Sequence, residues 1–519
     1  MRIDPRQRLL ETWAATVQAS WRGGIWHWGG RDGSNSISDA EQLLCILLPA
    51  AKVLPLALDR PETMSEHALR ALAPLGDANT IPLTLIRIAT EYFERYTTYE
   101  PRSIFAGGTY FDLDTGRNGE LQDWQRERDV VDSYAVSLTL SLVVRGFARL
   151  FQPVLTQAGH LAQAQRLERV ASLRLTAAMI GLLRSFSTNV FDPGSEEGHV
   201  LIDTVNRGSL PRREVASQLR AALRPTTRRL GEVEIGSGQI FELDDASLFE
   251  CGWSWGTVTE APQVYVDDPE ILLGQLAGFA EDRPHLYFTA VALDAIEELL
   301  SERTRELSLL DAEQYQLARE LMLRRDLALS YWTTLATFTD GWQWPLEARR
   351  DDYHTLLLSS VLVKDLSQPG PRAQDLARVG RVLADLSDGL RLAPEAQPGQ
   401  VITLIDRETQ AWDEPQAAWV AGDFAPVLLR NSVAIAGMLR DGRQRTQMLR
   451  LADHTWDHLD GRRMGPEATP GLWDRSADHR LPSWRCTLRV VEALISAADV
   501  LERRGAARRS EGAAVGGDR

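Results

Sequence analysis

Apolar residues recur three and four positions apart along most of the chain, a spacing that places them on one face of an α-helix. Long segments with this pattern are separated by short polar or glycine-containing stretches. The pattern therefore predicts a mainly all-α protein. The predicted helices are residues 8–21, 39–52, 83–96, 124–151, 161–186, 269–279, 285–300, 311–338, 352–366, 373–390, 424–439, 444–459 and 484–503.

Residues 231–259 carry a different pattern, in which apolar and polar residues alternate and glycines interrupt the run at Gly236 and Gly238. Alternation with a period of two is typical of strands that bury one face. This stretch therefore predicts a small antiparallel β insertion between helices.

In five of the predicted helices an aromatic residue starts the apolar segment, and Leu or Val follows four positions later. The five residues are Tyr134, Tyr287, Tyr353, Phe424 and Trp484. The last four are spaced 66, 71 and 60 residues apart, which is room for two helices and two loops. Aspartates lie at or near the start of three of these helices, where they are expected to act as N-caps, at positions Asp132, Asp352 and Asp423.

The five aromatic helices are more apolar than the helices that follow them, such as residues 373–390 and 444–459. A helix that is apolar nearly all round is buried, whereas one with a single apolar stripe lies outside. Buried and half-buried helices that alternate predict two concentric rings, an α/α toroid of helical hairpins. We expect one domain over residues 1–502 and a disordered tail over 503–519; an irregular helical array is the alternative fold.

The charge of the chain is strongly acidic, since 57 basic and 72 acidic residues give a net charge of −15. Two of the basic residues are lysines, Lys52 and Lys364, and the others are scattered arginines. An acidic chain without a basic patch is a poor binder of phosphate backbones. We therefore expect no nucleic-acid partner.

The N-terminal residues 1–8 have no apolar core behind a basic start and so do not resemble a signal peptide. The apolar runs 133–144 and 353–363 are shorter than the 18 or so residues of a membrane-spanning helix. Three cysteines lie far apart in apolar settings, as reduced thiols do. These features predict a cytoplasmic protein with no membrane span.

Several kinds of cofactor site are excluded by missing motifs. Neither lysine follows a glycine, so there is no Walker loop, and Phe241 stands where a dinucleotide loop needs a third glycine. The sequence has no His-Glu-x-x-His or Cys-x-x-Cys motif. His454 and His458 lie on one helical face, but a third ligand would require His479 to return to them. We predict no cofactor and no metal.

Tryptophans occur in pairs on loops that precede buried helices. The pairs are Trp26 and Trp28, Trp253 and Trp255, and Trp342 and Trp344. In a toroid these loops lie at one end of the barrel, where flat apolar rings bind sugars or isoprenoid chains. The pairs are therefore candidate ligand-binding residues; alternatively, they cap the ends of the core.

Asp112 and Asp114 follow a glycine-rich loop, and two carboxylates so close in sequence can share a proton. The segment looks like the Asp-x-Asp-Asp motif of class II terpene cyclases, which are α-toroids, although Thr115 replaces the last Asp. That resemblance implies that Asp114 is an acid which protonates an alkene. The alternative is a pair of turn-forming carboxylates.

The loop at residues 28–37 joins glycines, hydroxyls and acids ahead of a helix. Gly29, Gly30 and Gly33 would let backbone amides approach a ligand, or serve the shape of a tight turn alone. Ser38 and Glu41 have the spacing of a capping box, which predicts that Glu41 serves the start of this helix.

The segments 26–45, 110–142, 352–365 and 482–494 resemble an uncharacterised actinobacterial protein family whose members are hypothetical, locus-tag-named proteins. The resemblance implies a gene cluster that also encodes a variant P-loop protein and a methyltransferase-like protein. The resemblance identifies no catalytic residue. It implies a bacterial protein that works with partners from its own cluster.

Two functions follow from these observations. Because strong motifs are absent, we favour a partner or scaffold component of the gene cluster. The alternative is a toroid enzyme, terpene-cyclase-like or sugar-acting, with an aromatic-lined cavity and Asp112 or Asp114 as the acid. A small apolar or sugar-like ligand is expected in that case.

Overall fold

The computed structural model describes most of the chain. The described residues are 1–99, 102–113, 121–206, 210–230, 246–338, 352–368, 373–392, 400–407, 417–440, 442–465, 469–474 and 480–516.

The protein is mostly helical, as the apolar spacing predicts. The helices are α1 (Pro5–Ser20), α2 (Ser38–Lys52), α3 (Glu66–Ala71), α4 (Thr80–Arg95), α5 (Asp123–Arg126), α6 (Val131–Phe151), α7 (Ala158–Arg184), α8 (Glu196–Asn206), α9 (Arg212–Leu230), α10 (Pro269–Leu273), α11 (Leu286–Leu299), α12 (Glu302–Glu306), α13 (Ala312–Thr337), α14 (Asp352–Leu366), α15 (Ala373–Leu392), α16 (Phe424–Met438), α17 (Arg443–Asp460) and α18 (Trp484–Gly516). The strands are β1 (Trp21–Arg22), β2 (Ile25–Trp26), β3 (Phe111–Leu113), β4 (Phe186–Phe191), β5 (Leu248–Trp253), β6 (Gln400–Thr403) and β7 (Ala417–Ala421).

Most predicted helices begin and end within a few residues of the observed ones, and the differences have local causes. The predicted helix 124–151 is divided into α5 and α6 by an extended segment at Val130. Helices α8 and α9 are additional: α9 is strongly polar and contains Pro225, so its narrow apolar stripe is hard to recognise in the sequence.

The predicted β insertion contains a strand, but that strand pairs outside it. β5 runs antiparallel to β4, with Phe186 opposite Trp253 and Phe191 opposite Leu248. β4 follows the end of α7 at Arg184 and includes Phe186, the last residue of a predicted helix. A strand needs a partner for its backbone groups, and alternation alone does not say where that partner lies. Residues 231–245 of the prediction lie outside the described residues.

The predicted disordered tail starts inside a helix of the structure. α18 continues to Gly516, beyond the predicted end of the helix at Arg503. Alanine and arginine are strong helix formers, and extending an existing helix costs far less than starting one. This composition therefore favours helix once the segment before it is helical.

Six helices contact one another in a closed cycle within the described part of the chain. The neighbours around the cycle are α2, α6, α11, α14, α16 and α18, and α18 contacts α2 again. Five of these are the predicted aromatic helices, and the sixth is α2. Other helices pack against members of the cycle, among them α1 on α18, α7 on α6, α13 on α14 and α17 on α16.

Helix α6 is a long and mostly apolar member of the cycle. With the turn that follows it, Val131–Val154 is long and apolar enough to cross a membrane by length and composition, although the apolar run 133–144 is short. Of its apolar window, 78% is buried inside the protein. Such burial is typical of a core helix and is consistent with a soluble protein.

The leucines predicted for the core are buried. Leu138 and Leu428 are fully covered, and Leu357 and Leu488 are each 4% exposed. Each lies four residues after the aromatic that marks its helix. The aromatic pattern thus predicted correctly which helix faces are buried.

Replacing Leu428 with Ala is expected to lower the free energy of unfolding by about 2–5 kcal/mol, because the deleted atoms leave a cavity in a packed core. Urea unfolding measures this loss. The control is Leu501→Ala, since Leu501 is 38% exposed on α18. Similar losses for the two variants would contradict the assigned burial of α16.

Candidate functional site

A cavity of about 400 Å³ lies between five helices of the cycle: α2, α6, α11, α16 and α18. We call it the central cavity. A second space of about 720 Å³ adjoins it and shares Asp294 and Arg430 with it. The lining contains many charged side chains, although these helices are apolar overall. The central cavity is therefore the candidate site.

The central cavity is closed near the first turns of α2 and α6 and opens where Asp499 and Arg503 of α18 line it. Glu41 and Asp132, in the first turns of α2 and α6, are 3% and 4% exposed. Towards the other end, the side chains of Asp499 and Arg503 are 50% and 79% exposed. Glu41 and Asp132 thus form the floor.

Glu41 is a carboxylic acid in a mostly apolar setting. It shares the cavity wall with Leu44, Leu48 and Leu488, and its Oε2 accepts a 2.6 Å hydrogen bond from the Tyr110 hydroxyl. Burial raises the pKa of Glu41 to about 8, with the nearby Arg485 charge acting in the opposite direction. Glu41 therefore keeps its proton at neutral pH.

Asp132 is the second carboxyl of the floor and has a different environment. Its Oδ2 accepts a 2.7 Å hydrogen bond from the Tyr287 hydroxyl and pairs with the buried guanidinium of Arg485. That guanidinium also lies over the rings of Tyr110 and Trp419, at 4.9 and 5.2 Å from their centroids. Asp132 is thus held by a buried cation as well as by a phenol.

The walls of the cavity carry further pairs of opposite charge. Asp294 of α11 pairs with Lys364 of α14 and Arg430 of α16. Although burial acts to raise it, these two cations hold the pKa of Asp294 well below its usual range. Arg489 of α18 contacts Glu492 at 3.0 Å, so the acids of the wall are paired with cations.

Two of the three aspartates predicted as N-caps bind other side chains, and the third is the first residue of its helix. Val130 is the N-cap of α6, and Asp132 lies inside the first turn, where it binds Tyr287. Asp423 is at the N-cap position of α16 but makes no capping hydrogen bond; it accepts from the Tyr353 hydroxyl and pairs with Arg489. Asp352 is the first residue of α14.

The predicted capping box of α2 is also wrong. The side-chain oxygen of Asn35 accepts hydrogen bonds from the backbone of Ile37 and Ser38, at 3.0 and 2.9 Å. Glu41 points away into the central cavity. The spacing of Ser38 and Glu41 is compatible with a capping box and equally with a Glu41 side chain that faces the cavity. A cap depends on residues close in sequence, whereas the cavity depends on helices that are distant in sequence.

The predicted acid pair lies elsewhere. Asp112 is exposed on β3, opposite Ala418 of β7, and it is not among the residues that line the central cavity. Asp114 lies outside the described residues. An acid role for this pair stays a prediction.

The paired tryptophans are mostly covered by protein. Trp26, Trp253 and Trp255 are at most 2% exposed. The indole of Trp253 donates to the carbonyl of Leu182, as expected for a ring that caps the core. Trp255 and the half-buried Trp28 likewise donate to protein oxygens. Trp342 and Trp344 lie outside the described residues, and the ligand-binding role of the tryptophans stays a prediction.

Sequence reasoning missed the charged residues of the central cavity. A usable signal exists, since Arg485, Arg489 and Glu492 follow one face of the otherwise apolar start of α18, and Glu41 shares a face with Leu44 and Leu48. Charged residues on a helix that is apolar nearly all round have to be paired or functional. These charged residues on apolar faces indicate that each has a partner, but the sequence does not indicate which helix supplies that partner.

Among the described residues, no group of three or more His, Cys, Asp and Glu side chains is arranged to hold a metal ion. Burial, Arg462 and His454 together lower the pKa of His458. His479, the third ligand considered from the sequence, lies outside the described residues.

The raised pKa of Glu41 predicts a pH dependence of stability. Below the ordinary pKa of 4.5 both folded and unfolded states hold the proton, and the stabilisation is lost as pH rises through about 8. Over this window Glu41 should lower the free energy of unfolding by about 1.4 kcal/mol per pH unit, because only the unfolded state releases its proton.

Glu41→Gln should remove this contribution, since Gln does not titrate and still accepts from Tyr110. Urea unfolding at pH 5, 6, 7 and 8 measures the difference from wild type. Glu214→Gln is the control, because Glu214 is exposed on α9. A difference between wild type and Glu41→Gln that does not change with pH would contradict the assigned pKa.

The comparisons with known proteins identify a family and no activity. No curated protein and no solved structure matches the chain. The model of the SCO2524-like family matches residues 1–514, nearly the whole sequence. This match agrees with the resemblance to an uncharacterised family. The chain therefore belongs to the SCO2524-like family.

Proposed function

We propose that this chain is an α/α toroid that binds a small, hydroxyl-rich, sugar-like molecule in its central cavity. The toroid is supported by the closed cycle of α2, α6, α11, α14, α16 and α18, against which further helices pack. In this arrangement the central cavity lies on the axis of the inner ring. Its open end, beside Asp499 and Arg503 of α18, gives a ligand access.

The lining of the central cavity carries the ligand proposal. Carboxylates and guanidinium groups alternate around it, such as Asp294 beside Arg430 and Glu492 beside Arg489. Such pairs present hydrogen-bond acceptors and donors side by side, as neighbouring hydroxyls require. A wholly apolar ligand would remove water from these charges without replacing its hydrogen bonds. The lining therefore favours a sugar-like ligand over an isoprenoid chain.

The proposal predicts that a sugar which binds will stabilise the folded protein. At a concentration 100 times the Kd the gain is about 2.7 kcal/mol, because the ligand binds the folded state alone. A panel of neutral monosaccharides and disaccharides, screened by thermal unfolding and followed by calorimetry, measures it. Stabilisation by none of them would contradict a sugar-like ligand.

Two tryptophan variants on α18 test the location. Ser496 is half-buried and lines both the central cavity and the adjoining space, so Ser496→Trp should block binding. Leu501 is 38% exposed and faces Leu54 and Pro55, outside the central cavity, so Leu501→Trp should bind like wild type. Equal binding by both variants would place the ligand elsewhere.

A second candidate function is that of a cytoplasmic partner or scaffold component for proteins of the same gene cluster. The observation that favours it is a set of exposed apolar side chains close together in sequence. Tyr265, Leu273 and Leu276 are 79%, 83% and 52% exposed. Neighbouring exposed apolar side chains are typical of protein contact surfaces.

The variant Leu273→Ser/Leu276→Ser tests this candidate. It should lose co-purification with the P-loop or methyltransferase-like protein of the cluster, expressed together with it. The control is Leu54→Ser, since Leu54 is 82% exposed on another part of the chain. Retained co-purification by the double variant, or wild-type protein that captures neither product, would contradict a contact at this surface.

A further inference from the structure

We infer that Glu41 is the proton donor, and Asp132 the proton acceptor, for hydrolysis of a glycosidic or other acetal C–O bond in the central cavity. This inference rests on the proposed sugar-like ligand and adds the reaction. It assigns the chemistry to two carboxyls on the cavity floor rather than to Asp112 and Asp114.

The position of Glu41 suits a proton donor. Its carboxyl is 3% exposed and yet lines the central cavity, so a ligand that fills the cavity reaches it while bulk water is excluded. Leu44 and Leu48 follow it along the wall and supply no charge that would stabilise a carboxylate. The Tyr110 hydroxyl donates a hydrogen bond to its Oε2. This contact fixes the orientation of the carboxyl.

Asp132 suits the opposite role. It lies on α6, which contacts α2, and it lines the same cavity. Its Oδ2 pairs with the Arg485 guanidinium and accepts a hydrogen bond from the Tyr287 hydroxyl. One carboxyl beside apolar side chains and another beside a cation are environments that divide acid and base roles between two residues. Glycosidases use two carboxyls that flank the bond they hydrolyse.

The other acids of the cavity are less suited to donate a proton. Asp294 is paired with Lys364 and Arg430, and Glu298 with Lys52. Glu492 contacts Arg489 at 3.0 Å. Each of these carboxyls is paired with a cation. Glu41 differs, because its hydrogen-bond partner is a neutral phenol.

The proposed step balances with water as the second reactant. The proton on the Glu41 carboxyl moves to the bridging oxygen as the C–O bond breaks, and that oxygen keeps the electron pair. Water attacks the carbon that is left, and its proton passes to the Asp132 carboxylate. The products are two hydroxyl compounds, and transfer of the proton from Asp132 back to Glu41 through solvent restores the starting state.

The leaving group provides a specific test. A methyl glycoside needs protonation of its leaving oxygen, whereas a 4-nitrophenyl glycoside releases a stable phenolate without it. For the sugar that binds, Glu41→Gln should slow hydrolysis of the methyl glycoside by about 10²- to 10⁴-fold. Hydrolysis of the 4-nitrophenyl glycoside should fall much less. Binding of the sugar, measured by calorimetry, should be retained.

Glu250→Gln is the matched control. Burial also raises the pKa of Glu250, but this residue lies on β5 and does not line the central cavity. It should hydrolyse both substrates at the wild-type rate. Urea unfolding of each variant verifies that it is folded before its rates are compared.

The pH profile gives a second readout. The wild-type rate with the methyl glycoside should fall above about pH 8, as Glu41 loses its proton. The titratable and charged groups that face Glu41 are Arg485 and Arg489 on α18, Asp132 on α6, Tyr110 on the adjacent loop and Cys45 on its own helix. This alkaline limb should be absent from the residual activity of Glu41→Gln.

Two results would overturn the assignment. One is an equal loss of rate on both glycosides in Glu41→Gln, which would indicate a structural role. The other is wild-type protein that binds the sugar but hydrolyses neither glycoside. Absence of sugar binding is a separate result, and it would contradict the proposed function itself.

Discussion

Pairing of buried charges is the constraint on which the rest of this structure depends. A charged side chain buried between helices is stable when an opposite charge lies beside it, and removing one partner leaves a costly unpaired ion. Here Arg485 of α18 meets Asp132 of α6, and Lys364 of α14 meets Asp294 of α11. Each pair joins two different helices of the cycle. Lys364 and Asp294 join two neighbours of the cycle, whereas Arg485 and Asp132 join the two helices on either side of α2. The pairs therefore help to fix the order of the helices around the cycle, a choice that apolar contacts leave open.

The same constraint gives the central cavity its chemistry. Helices packed with leucine alone could close the space, whereas paired charges on facing helices leave a polar lining. Within that lining Glu41 differs from the acids that pair with cations. Burial raises the pKa of its carboxyl to about 8, whereas Asp132 lies beside a guanidinium. The different environments of these two carboxyls at one end of the cavity are a consequence of how each is paired.

Much of the fold was predictable because it depends on local spacing. Apolar periodicity predicted the positions of most helices. The aromatic residue near the start of a helix identified five of the six helices in the cycle. The buried position of Leu138 and Leu428 followed from that pattern. Prediction failed where a residue had two possible partners: Glu41 fits a capping box by spacing, but Asn35 supplies the cap and Glu41 faces the cavity.

The sequence by itself determined where helices form and which of their faces are buried, since both depend on residues within a few turns of one another. The tertiary structure alone decided the pairing of β4 with β5, the partners of Asp132 and the composition of the central cavity. Arg485 lies 353 residues from Asp132, and no local pattern encodes a contact over that distance. Such contacts form because the closed cycle of helices brings distant side chains together, and the cost of burying their charges selects the pairs that neutralise one another.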